Sequence, residues 1–246
     1  MAQKPLNMKK RFMHNNYFFR QIMLRKYPLE LLGKGNPQKE LNEVAATCFH
    51  INEAFKKIVD PMHRTGFMDM SKLHPFYNNK KTLCIIPGDG VRPTLGGYFA
   101  AKSKWTVLSI DPIMGGIKLD NKHIDGDDVT NFVNETYNIN YPNLKCLRTT
   151  SESIDYSQYD YDFVVLIHLH SHADFVNMYS MFQNVLAFTM PCCGGVRHTL
   201  TGVKHYHDLL TEGKAFCFDD AINENKNKFY VYHKVKRKRK QRQIGK

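Results

Sequence analysis

The chain has 246 residues, 42% of them hydrophobic and 12% aromatic, and a formal net charge of +12. That composition excludes a disordered or fibrous chain, and no run nears the roughly 18–20 apolar residues of a membrane span. The charge sits at the ends: residues 234–246 hold eight Lys or Arg and no acid, residues 1–34 hold eight against Glu30 alone, and the stretch 35–233 carries about −3. The amino terminus has no apolar stretch after its charges, so no secretory signal is expected. Six scattered cysteines make no disulfide framework, and the expectation is an intracellular protein, nuclear or cytoplasmic.

In chain order, residues 1–37 read as a basic, aromatic-bearing extension with a short amphipathic helix between Asn15 and Lys26. Gln38 to Val59 has apolar residues at three- and four-residue steps, which predicts a helix, and Pro61 stops it. From Thr82 the rhythm is strand, helix, strand. Leu83–Ile86 is a short apolar run that breaks into the turn Gly88-Asp89-Gly90; Thr94–Lys102 is helical in pattern, and Thr106–Ile110 is a second apolar run ending on Asp111. Further elements are a helix over Asp125–Tyr137, a strand over Leu144–Leu147, and a buried strand over Asp162–His168. A helix over Asp174–Gln183 and a strand over Val185–Met190 follow. Thr201–Glu212 reads as a helix, and strands over Ala215–Phe218 and Phe229–His233 close the sheet as an antiparallel pair. Such alternation predicts an α/β fold: a mostly parallel sheet with helices on both faces, spanning 38–233. Residues 234–246 read as a disordered basic tail.

The chemistry begins at the glycine turn. Gly88 and Gly90 permit close backbone approach, and the helix start behind them favours an anionic or polar ligand group. Asp111 lies 21 residues after Gly90, near the offset of an acid that holds ribose hydroxyls in a Rossmann-like unit. No third glycine stands in step, and Asp89 in mid-turn disfavours a pyrophosphate while tolerating a ligand that carries an amino group. His168, His170 and His172 share one face if their strand continues, with Asp174 beyond. They line a pocket floor with one as a general base, or they hold zinc or iron with help from Cys192, Cys193 or His198. Pro191 to Gly195 reads as a tight turn at the same sheet edge.

From about Leu83 to Phe218 the chain resembles the class I, Rossmann-like S-adenosylmethionine-dependent methyltransferases. By that resemblance Pro87, Gly88, Asp89 and Gly90 surround the amino-acid part of S-adenosylmethionine, Asp111 grips the ribose, and Ser151 and Glu152 fall beside the adenine. The segment His168 to Asp174 faces the transferred methyl, which gives His168, His170 and His172 catalytic positions. HLHSHAD followed by MPCCGG is similar to a branch with a His-Cys-Gly turn after strand four and a Pro-Cys-Cys segment after strand five. Some members of that branch act on RNA; here Ser171-His172-Ala173 stands in place of a Cys-Gly pair. The basic termini imply a nucleic-acid partner, RNA above all, held through charge and base stacking. The expected function is methyl transfer to RNA or a nucleic-acid-associated substrate. The alternative is a catalytically inactive Rossmann-like nucleic-acid-binding or scaffold protein.

Overall fold

A computed structural model describes residues 75–116 and 126–190, the strands at 214–218 and 228–234, and nine positions before residue 56. The predicted amino-terminal helix, the predicted helix over Thr201–Glu212, the Pro191–Gly195 turn with His198, and the tail beyond Lys234 lie outside the described residues.

The elements are β1 (Thr82–Pro87), α1 (Thr94–Lys102), β2 (Thr106–Ile110), α2 (Thr130–Tyr137), β3 (Leu144–Leu147), β4 (Phe163–Leu169), α3 (Phe175–Met181), β5 (Val185–Met190), β6 (Lys214–Phe218) and β7 (Lys228–Lys234). They build one open seven-stranded sheet in the order β3-β2-β1-β4-β5-β7-β6. The first five strands run parallel; β7 is antiparallel to both β5 and β6. The fold is α/β and Rossmann-like, as the alternation predicts.

β1, β4 and β5 are buried at every position, which is why they read as unbroken apolar runs rather than alternating ones. Each Leu, Ile or Val so covered contributes about 1.5–3 kcal/mol over its exposed state. One face packs against α1, α2 and the buried positions Val44, Cys48, Ile51 and Phe55. Those positions are helical in the predicted Gln38–Val59 stretch. Trp105 anchors this layer, stacked on Tyr77 at 4.7 Å with its indole N–H donated to the Phe76 carbonyl at 3.0 Å. The other face packs against α3 and the turns after β3. Cys84 and Cys146 are buried core thiols, and burial raises both well above the usual thiol range.

Two helices are shorter than their patterns. The Asp125–Tyr137 pattern starts its helix only at Thr130, because residues 127–129 run along the open edge of β3 instead. Val129 N–H donates to Cys146 O at 2.9 Å, and Arg148 N–H donates to Asp127 O at 2.8 Å. The sheet edge satisfies the backbone there before the helix can. In α3, Asp174 is the cap rather than the first turn; its carboxylate accepts the Asn177 N–H at 3.0 Å.

Strand ends are in register. Pro87 lies beside Ile110, Ile110 beside Leu147, and Leu169 beside Met190. The loops that follow β1, β2, β3 and β4 therefore converge on one sheet edge. The order reverses between β1 and β4, and the crevice beside such a switch point is where open α/β sheets bind ligands.

Candidate functional site

The turn after β1 is shaped by a close approach. Gly88 has φ +74°, and a Cβ placed on it would stand 2.9 Å from both Cα and Cβ of Ser171 in the turn after β4. Its N–H donates to the Ile110 carbonyl at 2.8 Å, tying β1 to the end of β2. Asp89 points the other way. Its Oδ1 accepts the Leu95 N–H at 3.0 Å, and its Oδ2 accepts the Gly96 N–H at 2.8 Å and the Ser109 hydroxyl at 2.7 Å. Pro93, at the cap position of α1, offers no side-chain acceptor. Asp89 fills that vacancy from four residues upstream and satisfies two of the orphan N–H groups. Burial pushes its carboxyl up to about 7, against the opposing pull of those three hydrogen bonds.

Gly96 supplies what the glycine pattern lacked. A Cβ there would meet Ser109 Cβ at 2.7 Å and Asp89 Oδ2 at 3.0 Å, so the helix lies on β2 only because this residue has no side chain. Close helix–strand packing is the task of the third glycine in a dinucleotide turn. Here it falls six residues after Gly90, beyond an inserted stretch.

Asp111 closes the same turn. Its Oδ2 accepts the Gly90 N–H at 2.9 Å and its Oδ1 accepts the Ile113 N–H at 2.9 Å. The 21-residue offset noted in the sequence is thus a direct hydrogen bond. Each carboxylate oxygen retains a lone pair for a ligand hydroxyl.

After β3, Ser151–Ser153 forms a tight turn pinned by the Tyr156 hydroxyl, which donates to Ser151 O at 2.8 Å. Glu152 Oε1 accepts the Asp174 N–H at 3.1 Å and Oε2 accepts the Ser151 hydroxyl at 3.1 Å, strapping the β3 turn to the start of α3. Partial burial raises the Glu152 carboxyl, but those hydrogen bonds prevail and hold it below its ordinary value.

The histidines part company. β4 ends at Leu169, and His170 adopts the left-handed backbone with φ +51°, so the strand alternation that would align three imidazoles stops. His168 is fully buried, 5.4 Å from the Phe175 ring. Its Nε2 donates to the Ala173 carbonyl at 3.0 Å, and its Nδ1 lies 3.4 Å from the Thr189 hydroxyl. His168 thus braces the turn after β4 from inside and does not line the crevice. His170 and His172 both line the crevice, His170 half-buried and His172 exposed. Among the described residues, no three His, Cys, Asp or Glu converge as metal ligands, and Cys192, Cys193 and His198 lie outside them.

The four loops enclose a cavity of about 430 Å³. From the expected site it brings together Pro87, Gly88, Asp111, Ser151, Glu152, His170 and His172, while Asp89, Gly90 and His168 do not line it. Sequence reasoning missed Ile110, Pro112, Ile113, Thr149 and Thr150; Ser171 and Ala173, within the segment expected to face the methyl, complete the lining. Ile113 is the telling omission: it is 56% exposed, an apolar side chain held open beside Asp111. The signal for Thr149 and Thr150 was available, since both follow a strand at the edge where the other motifs end. Among the described lining residues two are carboxylates and none is Lys or Arg. Such a wall receives hydrogen-bond donors and positive charge and rejects phosphate.

No family model matches the chain, and no curated protein matches it in sequence. Among solved structures, it is similar to a cyclopropane-fatty-acyl-phospholipid synthase-like protein from Lactobacillus casei ATCC 334, at 15% identity and a TM-score of 0.38. That match covers 69% of this chain and 58% of the other, so the chain spans less than two thirds of that relative. It is also similar to a mutant of MtNAS, at 9% identity and a TM-score of 0.39, over 92% of this chain and 76% of that one. The same mutant in complex with S-adenosylmethionine gives 11% identity and a TM-score of 0.38 over the same shares. What this chain's cavity can bind is read from its own residues.

Proposed function

We propose that this cavity binds S-adenosylmethionine and that the chain is a methyltransferase-type protein acting on RNA or a nucleic-acid-associated substrate. One observation carries the reading: a cavity of about 430 Å³ at the β1–β4 switch point presents Asp111 and Glu152 and, among its described lining residues, no cation. The volume lies in the range of small-molecule sites. A ligand with ribose hydroxyls, an amine and a sulfonium fits that wall; a dinucleotide with its pyrophosphate does not.

The residues fit in named roles. Asp111, fixed by Gly90 and Ile113, offers its remaining lone pairs to a diol. Glu152, held ionised, faces a donor or a positive charge. Ile113 offers an apolar surface for a flat ring. When bound, the group supplies a methyl on a sulfonium, whose sulfur keeps the bonding electron pair as the methyl passes to the acceptor. The chain's part is to align the reactants and to take the proton an acceptor O–H or N–H loses; His170 and His172 stand at the cavity for that.

The inactive reading draws on Ser171, whose backbone and side chain fill the space beside Gly88. A thermal-shift titration separates the possibilities. S-adenosylhomocysteine should raise the melting temperature of the parent chain, and Asp111→Ala should abolish that rise. No rise at millimolar ligand would sink the cofactor reading. A rise without turnover on any RNA would leave a silent binding fold.

A further inference from the structure

The acceptors and the donors of the cavity stand on different loops. Asp111 after β2 and Glu152 after β3 are the carboxylates of its wall. A helix start ordinarily receives an anionic ligand group, but the start of α1 is occupied from within. The Thr94 N–H donates to Arg92 O, the Leu95 and Gly96 N–H groups donate to Asp89, and the Gly97 N–H donates to Pro93 O. In the turn itself, the Gly88 N–H is taken by Ile110 O and the Gly90 N–H by Asp111.

The turn after β4 is different. Ser171 is 2% exposed, lines the cavity and lies against the β1 turn, with its Oγ 3.0 Å from where a Gly88 Cβ would stand. That oxygen accepts the Ala173 N–H at 3.2 Å, and the hydroxyl proton has no acceptor among the described residues. A buried donor left unpaired is costly, and at a cavity wall a bound ligand can supply the acceptor. Sheet pairing ends at His170, whose N–H donates to Met190 O at 3.0 Å before its left-handed backbone turns the chain away. The N–H groups of Ser171 and His172 that follow have no acceptor among the described residues, and His172 also lines the cavity.

We infer that the Ser171–His172 turn is the subsite for the carboxylate of a bound amino-acid moiety, with the Ser171 hydroxyl as its buried donor. The inference rests on the proposed function for the class of ligand; it adds which end of that ligand this turn reads. Asp111 and Glu152 attract the amine and sulfonium of S-adenosylmethionine but repel its carboxylate. Donors on the β4 turn, beside Gly88, offset that repulsion, and a hydrogen bond to a charged group is stronger than one between neutral groups. Ser171 then sits beside Gly88 as a contact for the ligand rather than as a plug, and it selects ligands that keep the carboxylate.

The test is isothermal titration calorimetry on the full chain with S-adenosylhomocysteine and S-adenosyl-3-thiopropylamine. The second ligand keeps the adenosine, thioether and amine and lacks only the carboxylate. The parent should bind S-adenosylhomocysteine tighter by about tenfold or more. Two wall carboxylates acting alone would give the reverse order, because the amine analogue carries a net positive charge. Ser171→Ala should lose about tenfold in affinity for S-adenosylhomocysteine and stay within about twofold of the parent for the amine analogue. Ser171→Cys, close in shape but a weak donor, should fall between parent and Ser171→Ala. Tighter binding of the amine analogue by the parent would overturn the inference and leave the cofactor reading standing. Parent-like affinity for S-adenosylhomocysteine in Ser171→Ala, or equal losses for the two ligands, would do the same. Should Ser171→Ala fail to fold, the order of the two ligands in the parent decides. Binding of neither ligand would end the cofactor reading, and the inference with it.

Discussion

Asp89 accepts hydrogen bonds from Leu95, Gly96 and Ser109, and burial pushes its carboxyl up to about 7 from an ordinary value of 3.8. Between those values the native state keeps a proton that the unfolded chain has lost. The contribution of this group to stability is thus fully present below about pH 4 and is lost as the pH rises through about 7. Asp89→Asn should flatten that slope between pH 5 and pH 8 in urea denaturation. It should also cost about 1–3 kcal/mol, since an amide nitrogen cannot accept the Gly96 N–H. An unchanged pH slope would show that Asp89 stays ionised throughout. His170 makes a different residue-scale case. Its left-handed backbone costs a non-glycine residue about 1–2 kcal/mol. His170→Gly should therefore be more stable than His170→Ala by about 1 kcal/mol, although both remove the imidazole. If methyl transfer is present, both variants should lose it alike. Equal stabilities would mean that the turn relaxes in the variants.

At the scale of elements, the strands were legible because each is short, apolar and bounded by turn residues; the pattern for β2 and β3 matches the structure end to end. The helix patterns were less faithful at their starts. Residues 127–129 carry an acceptable helical pattern, but the free edge of β3 claims their backbone groups, and nothing local to the sequence announces that edge. The α1–β2 contact is the element on which the turn depends. Gly96→Ala gains about 1 kcal/mol of helix propensity, yet its Cβ must enter a gap of 2.7 Å to Ser109. Overpacking of that kind costs about 1–3 kcal/mol, so the variant should melt lower than the parent. Because Asp89 lies in the same gap, the S-adenosylhomocysteine thermal shift should shrink as well. A variant at least as stable as the parent, with a full shift, would show that the helix can move off the strand freely.

For the whole molecule, the decisive property is that five parallel strands end together while β7 returns the chain to their other end. No helix among the described residues is long and apolar enough to cross a membrane. The sequence alone determined the alternation of strands and helices, the glycine turn with its acid 21 residues on, and the basic ends. Those properties are written in local pattern and charge, which need no tertiary context. Only the tertiary structure decided which chemistry-bearing residues face the ligand. Asp89 and His168 carry the residue types of a site but turn inward, because a buried helix start and a buried turn had polar groups to satisfy. Ile113 carries no such type, yet its loop leaves it open beside Asp111.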